Sequence, residues 1–191
     1  MNLIANVFVF IVLSLLVGLG SAWLMVERGT TFSSVTAGPW KTWTNIGLAT
    51  ADPYTRAHVT RSGGLPVMSK AVLYFRTLRD NEGSRIDSEC DYEVRGSDGE
   101  AAWWSLAAYD GAGNLMENAA ARYAFNANTV MRAPDGSWRI LLSSEPSPGN
   151  WLPVDSDYQV ELVYRMFRNP TGSRDEDITR TLPDIKRLRC R

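Results

Sequence analysis

From Leu3 to Val26 the chain carries no charged residue, and the run is apolar on every side. Phe8-Val9-Phe10-Ile11-Val12-Leu13 and Leu15-Leu16-Val17 leave no polar stripe, so the segment is not an amphipathic surface helix. As a helix rising about 1.5 Å per residue it is roughly 36 Å long, enough for a hydrocarbon core of about 30 Å with modest tilt. The pattern predicts one N-terminal transmembrane helix within residues 1–26, with Leu3 to Val26 in contact with a lipid bilayer. A cleaved signal peptide is the competing reading, because Gly20-Ser21-Ala22 offers small residues for cleavage before Trp23. Against it, Met1-Asn2 supplies no Lys or Arg, and the apolar run exceeds the roughly 7 to 15 residues of a signal peptide core. Length therefore favours a retained anchor.

A lead-in over 27–69 follows. Glu27 to Ala37 is a short tether rich in Ser and Thr. Trp40 and Trp43 stand close enough to the span to sit at headgroup level, or they pack onto the domain; the pattern leaves both open. Asp52-Pro53-Tyr54 reads as a helix start, with Asp as N-cap and Pro at the first helical position. The expected helix covers Tyr54 to Arg61 in two turns, and Gly63-Gly64 ends it.

From residue 70 the period changes to two. Cys90, Tyr92 and Val94 alternate with Asp91, Glu93 and Arg95; Tyr158, Val160, Leu162, Tyr164 and Met166 alternate with Gln159, Glu161, Val163, Arg165 and Phe167. Trp138, Ile140 and Leu142 repeat the pattern more loosely. Such alternation places one row on a core and the other toward solvent or a second layer. Turn signals separate the runs, among them Asp110-Gly111-Ala112-Gly113-Asn114 and Pro146-Ser147-Pro148-Gly149-Asn150. Pro134-Asp135-Gly136-Ser137 predicts a hairpin, because Pro presets φ and Gly accepts a positive one. Short strands without long helical patterns predict a mainly β domain over 70–191, an antiparallel jelly-roll-like β-sandwich.

Charge changes this picture little. A net charge of -1 and a pI near 5.9 give no footprint for nucleic acid. The basic ending, Lys186, Arg187, Arg189 and Arg191, is offset by Asp175, Glu176, Asp177 and Asp184, and reads as a solvated or edge-strand tail. Arg28 and Lys41 flank the span on its C-terminal side and argue for a cytoplasmic domain. The cysteines argue the opposite. Cys90 and Cys190 form no metal-like cluster, and an isolated pair suits one disulfide in an oxidising compartment. We place the domain outside the cytoplasm.

One segment carries a family pattern. Trp103-Trp104-Ser105-Leu106-Ala107-Ala108-Tyr109-Asp110-Gly111-Ala112-Gly113 resembles the W-S-L-T-x-Y-D-x-x-G strand and turn of the bacterial domain of unknown function numbered twelve-fourteen. Asn118, Arg122-Tyr123, Asp135-Gly136-Ser137 and Gly149-Asn150-Trp151-Leu152-Pro153 match its later landmarks in order, so the resemblance covers roughly 70–190. It implies a jelly-roll-like sandwich, bacterial origin and, in short members, an N-terminal membrane segment; it implies no established activity. Larger members carry an N-terminal domain numbered twelve-fifty-four, which this chain lacks. A function assembled between the two halves would need a separate envelope partner carrying that domain. The implied location is the bacterial inner membrane, single-pass, with a periplasmic C-terminal domain.

Catalytic chemistry finds little footing. His58 is the sole histidine, too little for a usual zinc site. The G-x-S-x-G elbow, H-E-x-x-H and a P-loop are absent from the sequence, and no cofactor is expected. Asp110, Glu145, Asp155 and Asp157 sit at turns near Trp103, Trp104 and Trp151, the one arrangement that suggests paired-carboxylate work on a sugar. Turn Asp residues bonding their own backbone and Trp residues filling a core explain the same positions. Seven Trp and seven Tyr nevertheless suit a binding surface, with Trp103, Trp104, Asp110, Asn150 and Trp151 as candidate ligand contacts. The expected function is a membrane-anchored binding module for an envelope protein partner; the alternative is a glycan-binding or carbohydrate-active module.

Overall fold

The computed structural model describes residues 3–29, 33–61, 65–99, 101–154, 159–168 and 179–191. Gly63, Gly64, Asp155, Asp157, Tyr158 and 175–177 lie outside them. The chain forms two compact units, Met1–Ser34 with Asn45–Met68, and Val35–Thr44 with Ser69–Arg191.

The first unit holds two helices. Helix α1, Leu3–Arg28, is long and apolar enough to cross a membrane, and none of its residues is buried in the fold. Helix α2 covers Pro53–Arg61, starting where the Asp-Pro signal placed it. The Asp52 carboxylate accepts the Thr55 N–H at 2.9 Å and the Thr55 hydroxyl at 2.6 Å, which satisfies an otherwise orphaned helix donor. That cap, led by the Thr55 hydroxyl, holds the Asp52 carboxyl below the usual carboxylate range.

The second unit is built from two sheets. Strands β1 (Ser34–Ala37), β2 (Trp40–Trp43), β3 (Val72–Thr77), β9 (Glu161–Arg168), β5 (Ala101–Tyr109) and β6 (Ala124–Asn126) form a six-stranded sheet in that order. Strands β10 (Asp184–Cys190), β4 (Cys90–Gly96), β7 (Trp138–Ser143) and β8 (Trp151–Pro153) form a four-stranded sheet. The fold is mainly β, as the period of two implied. One pairing departs from the antiparallel expectation: β8 runs parallel to β7. Strands β1 and β2 also come from the stretch read as lead-in. Trp40 is fully buried there, its indole N–H donating to the Pro183 carbonyl at 2.7 Å, and Trp43 is buried too. Packing, not the headgroup region, takes both rings.

The predicted inner rows face each other across the core. Leu162, Tyr164 and Met166 of β9, with Trp104 and Leu106 of β5, meet Tyr92 and Val94 of β4 and Trp138, Ile140 and Leu142 of β7. Trp104 stacks on Trp138 at 4.5 Å between ring centroids and lies 5.7 Å from Tyr164, an aromatic spine joining the sheets. Gly96 is opposite Trp138, and a Cβ there would stand 2.4 Å from the indole, so this position needs glycine. The Pro134 turn forms, with the Ala133 N–H donating to the Ser137 carbonyl at 2.8 Å and Gly136 at φ 82°. Its upstream arm is a single Arg132–Trp138 bridge rather than a strand.

Cys90 and Cys190 are disulfide-bonded, closing a separation of 100 residues. They stand opposite each other on β4 and β10, their Cα atoms 3.9 Å apart. The Arg191 N–H to Glu89 carbonyl bond lies just beyond, which makes the cysteines a non-hydrogen-bonded pair, where facing Cα atoms approach most closely. Cys90 is buried, whereas Cys190, on the same face at the sheet edge, stays exposed. The outer edge of β10 is guarded as well: Ile185 exchanges both its backbone groups with Asn81. Covering an edge in this way removes a template for strand addition.

Candidate functional site

The five residues proposed from the sequence do not converge. Trp103 and Trp104 are neighbours on β5 and therefore point to opposite faces of the sheet. Trp104 is fully buried, its indole N–H donating to Asp98 at 2.8 Å, and serves the core instead of a ligand. Asp110 bonds its own turn, accepting the Ala112 and Asn114 N–H groups at 2.9 and 2.8 Å. Asn150 is a buried clamp: its carbonyl accepts the Met131 N–H at 2.8 Å, and its amide donates to the Met131 and Arg139 carbonyls. Trp151 lies on β8 in the other sheet, its N–H donating to the Ser143 carbonyl at 2.9 Å. Trp103 keeps a half-open ring, edge-on to Phe167 at 5.3 Å, and Trp151 is half-buried as well.

The outer face of the four-stranded sheet is electrostatic. Asp91 and Glu93 belong to the polar row of β4, which alternation sends outward, yet both are buried. Arginines roof them. Asp91 accepts the Ser143 hydroxyl at 2.6 Å, Arg189 at 2.7 Å and Arg191 at 2.8 Å. Burial pushes the Asp91 carboxyl up, but Ser143 and the two guanidinium groups outweigh it and hold it below the usual range. Glu93 pairs with Arg95 at 2.5 Å and Arg139 at 3.4 Å. Register sets Arg95 directly opposite Arg139. Like charges so placed repel, and Glu93 beneath them offsets that repulsion. Above this triad lies a groove of about 650 Å³ whose walls include Met131, Leu141 and Leu188. Both arginine side chains remain about two-thirds exposed, at 65% and 68%.

The outer face of the six-stranded sheet is aromatic. Tyr74, Arg165 and Ser105 share one row across β3, β9 and β5. The Arg165 guanidinium lies 5.8 Å from the Tyr74 ring and 5.5 Å from that of Tyr109, and it donates to the Tyr109 hydroxyl. Val163 and Ala107 are buried in the adjacent row. Arg76 meets Glu161 at 3.5 Å. Burial raises the Glu161 carboxyl above its ordinary value, and Arg76 opposes the rise only in part.

A family model described as "Protein of unknown function (DUF1214)" matches residues 71–171. The chain belongs to this family. Its fold is also that of two solved proteins. The VPA0106 protein from Vibrio parahaemolyticus superposes with a TM-score of 0.61 at 20% identity, over 90% of this chain and 43% of that one. An uncharacterized protein from Burkholderia cenocepacia gives 0.50 at 21% identity, over 89% and 40%. This DUF1214 chain thus spans less than half the length of either neighbour. No curated protein matches it.

Among the described residues of the DUF1214 chain, no group of three or more His, Cys, Asp and Glu is placed to hold a metal ion. Asp91 and Glu93 are each paired with two arginines, an arrangement that suits them to a structural role. The sequence reading missed Arg139, Met131 and Leu188 because only strand register brings them around Glu93. The Glu93–Arg95 alternation was the visible half of that signal.

Proposed function

We propose that this DUF1214 chain is a single-pass, membrane-anchored binding module with its sandwich on the extracytoplasmic side, and that it takes an envelope protein partner in the groove over Glu93. The groove itself carries the reading. Two exposed guanidinium groups share one buried carboxylate, so the site holds an excess positive charge beside the apolar groups of Met131, Leu141 and Leu188. An extended protein segment that alternates acidic and apolar side chains matches this chemistry, since guanidinium forks favour carboxylates. The solved neighbours add support: the match covers 43% and 40% of them, and a separate partner such as one carrying the twelve-fifty-four domain would supply a counterpart of the part not covered. The disulfide supports an oxidising compartment, and the apolar helix α1 supports the anchor.

The glycan reading has less to stand on. The Trp151 ring, its most specific candidate, has its N–H engaged by Ser143 and the Arg122 guanidinium 5.9 Å from its centroid. A photo-crosslinking residue at Leu188, tested in the native membrane, should give one discrete protein adduct; the same residue at Phe167 should give none. The double variant Arg95→Glu/Arg139→Glu, both exposed positions, should abolish the Leu188 adduct. Equal adducts from both faces, or an adduct indifferent to the charge reversal, would sink the proposal.

A further inference from the structure

The lead-in unit exposes apolar groups that a water-facing loop would not favour. Leu65-Pro66-Val67-Met68 is a run of four apolar residues, with Leu65 73% and Met68 56% exposed, and Tyr54 at the start of α2 is 42% exposed. The run is held in place. Gly47, at φ 71°, lies so close that a Cβ would stand 2.7 Å from the Met68 nitrogen and 2.8 Å from the Pro66 carbonyl oxygen. Pro66 borders an open groove of about 690 Å³ whose lining includes Ile46, Leu48 and Val59, with Arg56 among the groups around it.

Helix α2, within this unit's second segment, is tied to the C-terminal end of α1. His58 Nδ1 lies 2.8 Å from the Val26 carbonyl oxygen, and Arg61 pairs with Glu27 at 2.8 Å. A helix that crosses a bilayer and ends at Arg28 holds these partners at the level where acyl chains meet headgroups. We infer that the lead-in unit is a second membrane contact, with Leu65 to Met68 and Tyr54 seated in the interfacial layer of the bilayer that α1 enters. The occupant of the apolar surface is lipid. Continuity with α1 selects it, and the groove beside Pro66 accepts acyl groups while Arg56 meets headgroup phosphate. The layer suits these residues: tyrosine rings favour it, and an apolar loop there removes area from water without crossing the membrane. This inference rests on the anchored reading of α1 and is independent of the groove over Glu93.

Methionines supply an internal ruler for the test. The full chain, labelled with ¹³C at its methionine methyls, is placed in phosphatidylcholine nanodiscs containing 5-doxyl-phosphatidylcholine. Met25 reports on α1, Met68 on the lead-in, and Met131, 59% exposed on the sandwich, on solvent-facing sites. The expected result is loss of more than half the Met25 and Met68 signal with Met131 unchanged. Replacing Leu65 with Asn should restore a good part of the Met68 signal and leave Met25 broadened. Broadened Met25 with sharp Met68 overturns the inference alone. Sharp Met25 and Met68 together overturn the anchored reading and this inference with it. Equal broadening of Met68 and Met131 overturns it too, because the contact would then not belong to the lead-in.

Discussion

The two outer faces of the sandwich solve the same problem in opposite ways. On the four-stranded sheet, carboxylates lie at the bottom and arginines cover them: Asp91 under Arg189 and Arg191, Glu93 under Arg95 and Arg139. On the six-stranded sheet Arg165 lies between the rings of Tyr74 and Tyr109, and Trp103 meets Phe167 edge-on. The first face depends on ionised carboxylates, so acid and salt should weaken it. The second depends on ring contacts and covered apolar area, which neither condition removes. A face that loses its order with charge is suited to a partner that supplies charge. That contrast is why the groove over Glu93, and not the aromatic face, carries the proposed function.

The largest expected effect concerns β10, which supplies half of the electrostatic face and is held by the Cys90–Cys190 bond. For a closed loop of 100 residues, the chain-entropy model gives about 4 to 5 kcal/mol, an upper figure. The double variant Cys90→Ser/Cys190→Ser should therefore shift the denaturant midpoint strongly downward, read from tryptophan fluorescence. It should also make the remaining unfolding more sensitive to salt, since Arg189 and Arg191 then hold β10 against β4 with less help. An oxidised and a reduced protein with the same midpoint would break the account.

Asp91 comes next. Its pKa is lower folded than unfolded, so its contribution is complete above the ordinary carboxylate value of about 4 and disappears as pH falls through the lower folded value. Asp98 adds to the same acid limb: burial raises it, but Arg132 and the Trp104 N–H outweigh burial. Asp91→Asn should lose about 2 kcal/mol at pH 7, the loss of hydrogen bonds to a charged acceptor. It should also flatten the fall in stability below pH 4. A variant as acid-sensitive as the parent would move the acid response to other carboxylates and blunt the contrast between faces.

How much of this was legible beforehand differs by level. The anchor-length helix, the α2 cap at Asp52, the turn at Pro134 and the inner rows of β4, β7 and β9 all followed from local pattern, because each is a short-range consequence of residue type. What alternation could not show is what covers the outer row. Asp91 and Glu93 read as solvent-facing, and they are buried by arginines up to 100 residues away in sequence. The candidate ligand residues are scattered over the fold for the same reason. Trp104 and Trp151 were both candidates, yet strand register sends one into the core and leaves the other half-buried on the second sheet. A segment as short as Trp40–Trp43 gave no period from which its place in the large sheet could be read.

The smallest effects should lie on the aromatic face, and there the sign is informative. Arg165→Ala removes a guanidinium held by two rings and should cost about 1 kcal/mol, with the loss unchanged between low and high salt. Glu161, an acidic group on this face, has a raised folded pKa, burial being the main cause and Arg76 opposing it. A raised carboxyl favours folding fully only below its ordinary value and costs stability as pH rises through the folded one. Once ionised, Glu161 is therefore a small burden that its pair with Arg76 does not lift. Glu161→Gln should leave stability unchanged or improve it by roughly 0.5 kcal/mol at pH 7, with the difference vanishing below pH 4. Denaturant titrations of the variant at pH 4 and pH 7 read this directly. A clear loss at pH 7 would mean that the Arg76–Glu161 pair supports the sheet as the Asp91 cluster supports its own, and the two faces would then differ in degree rather than in kind.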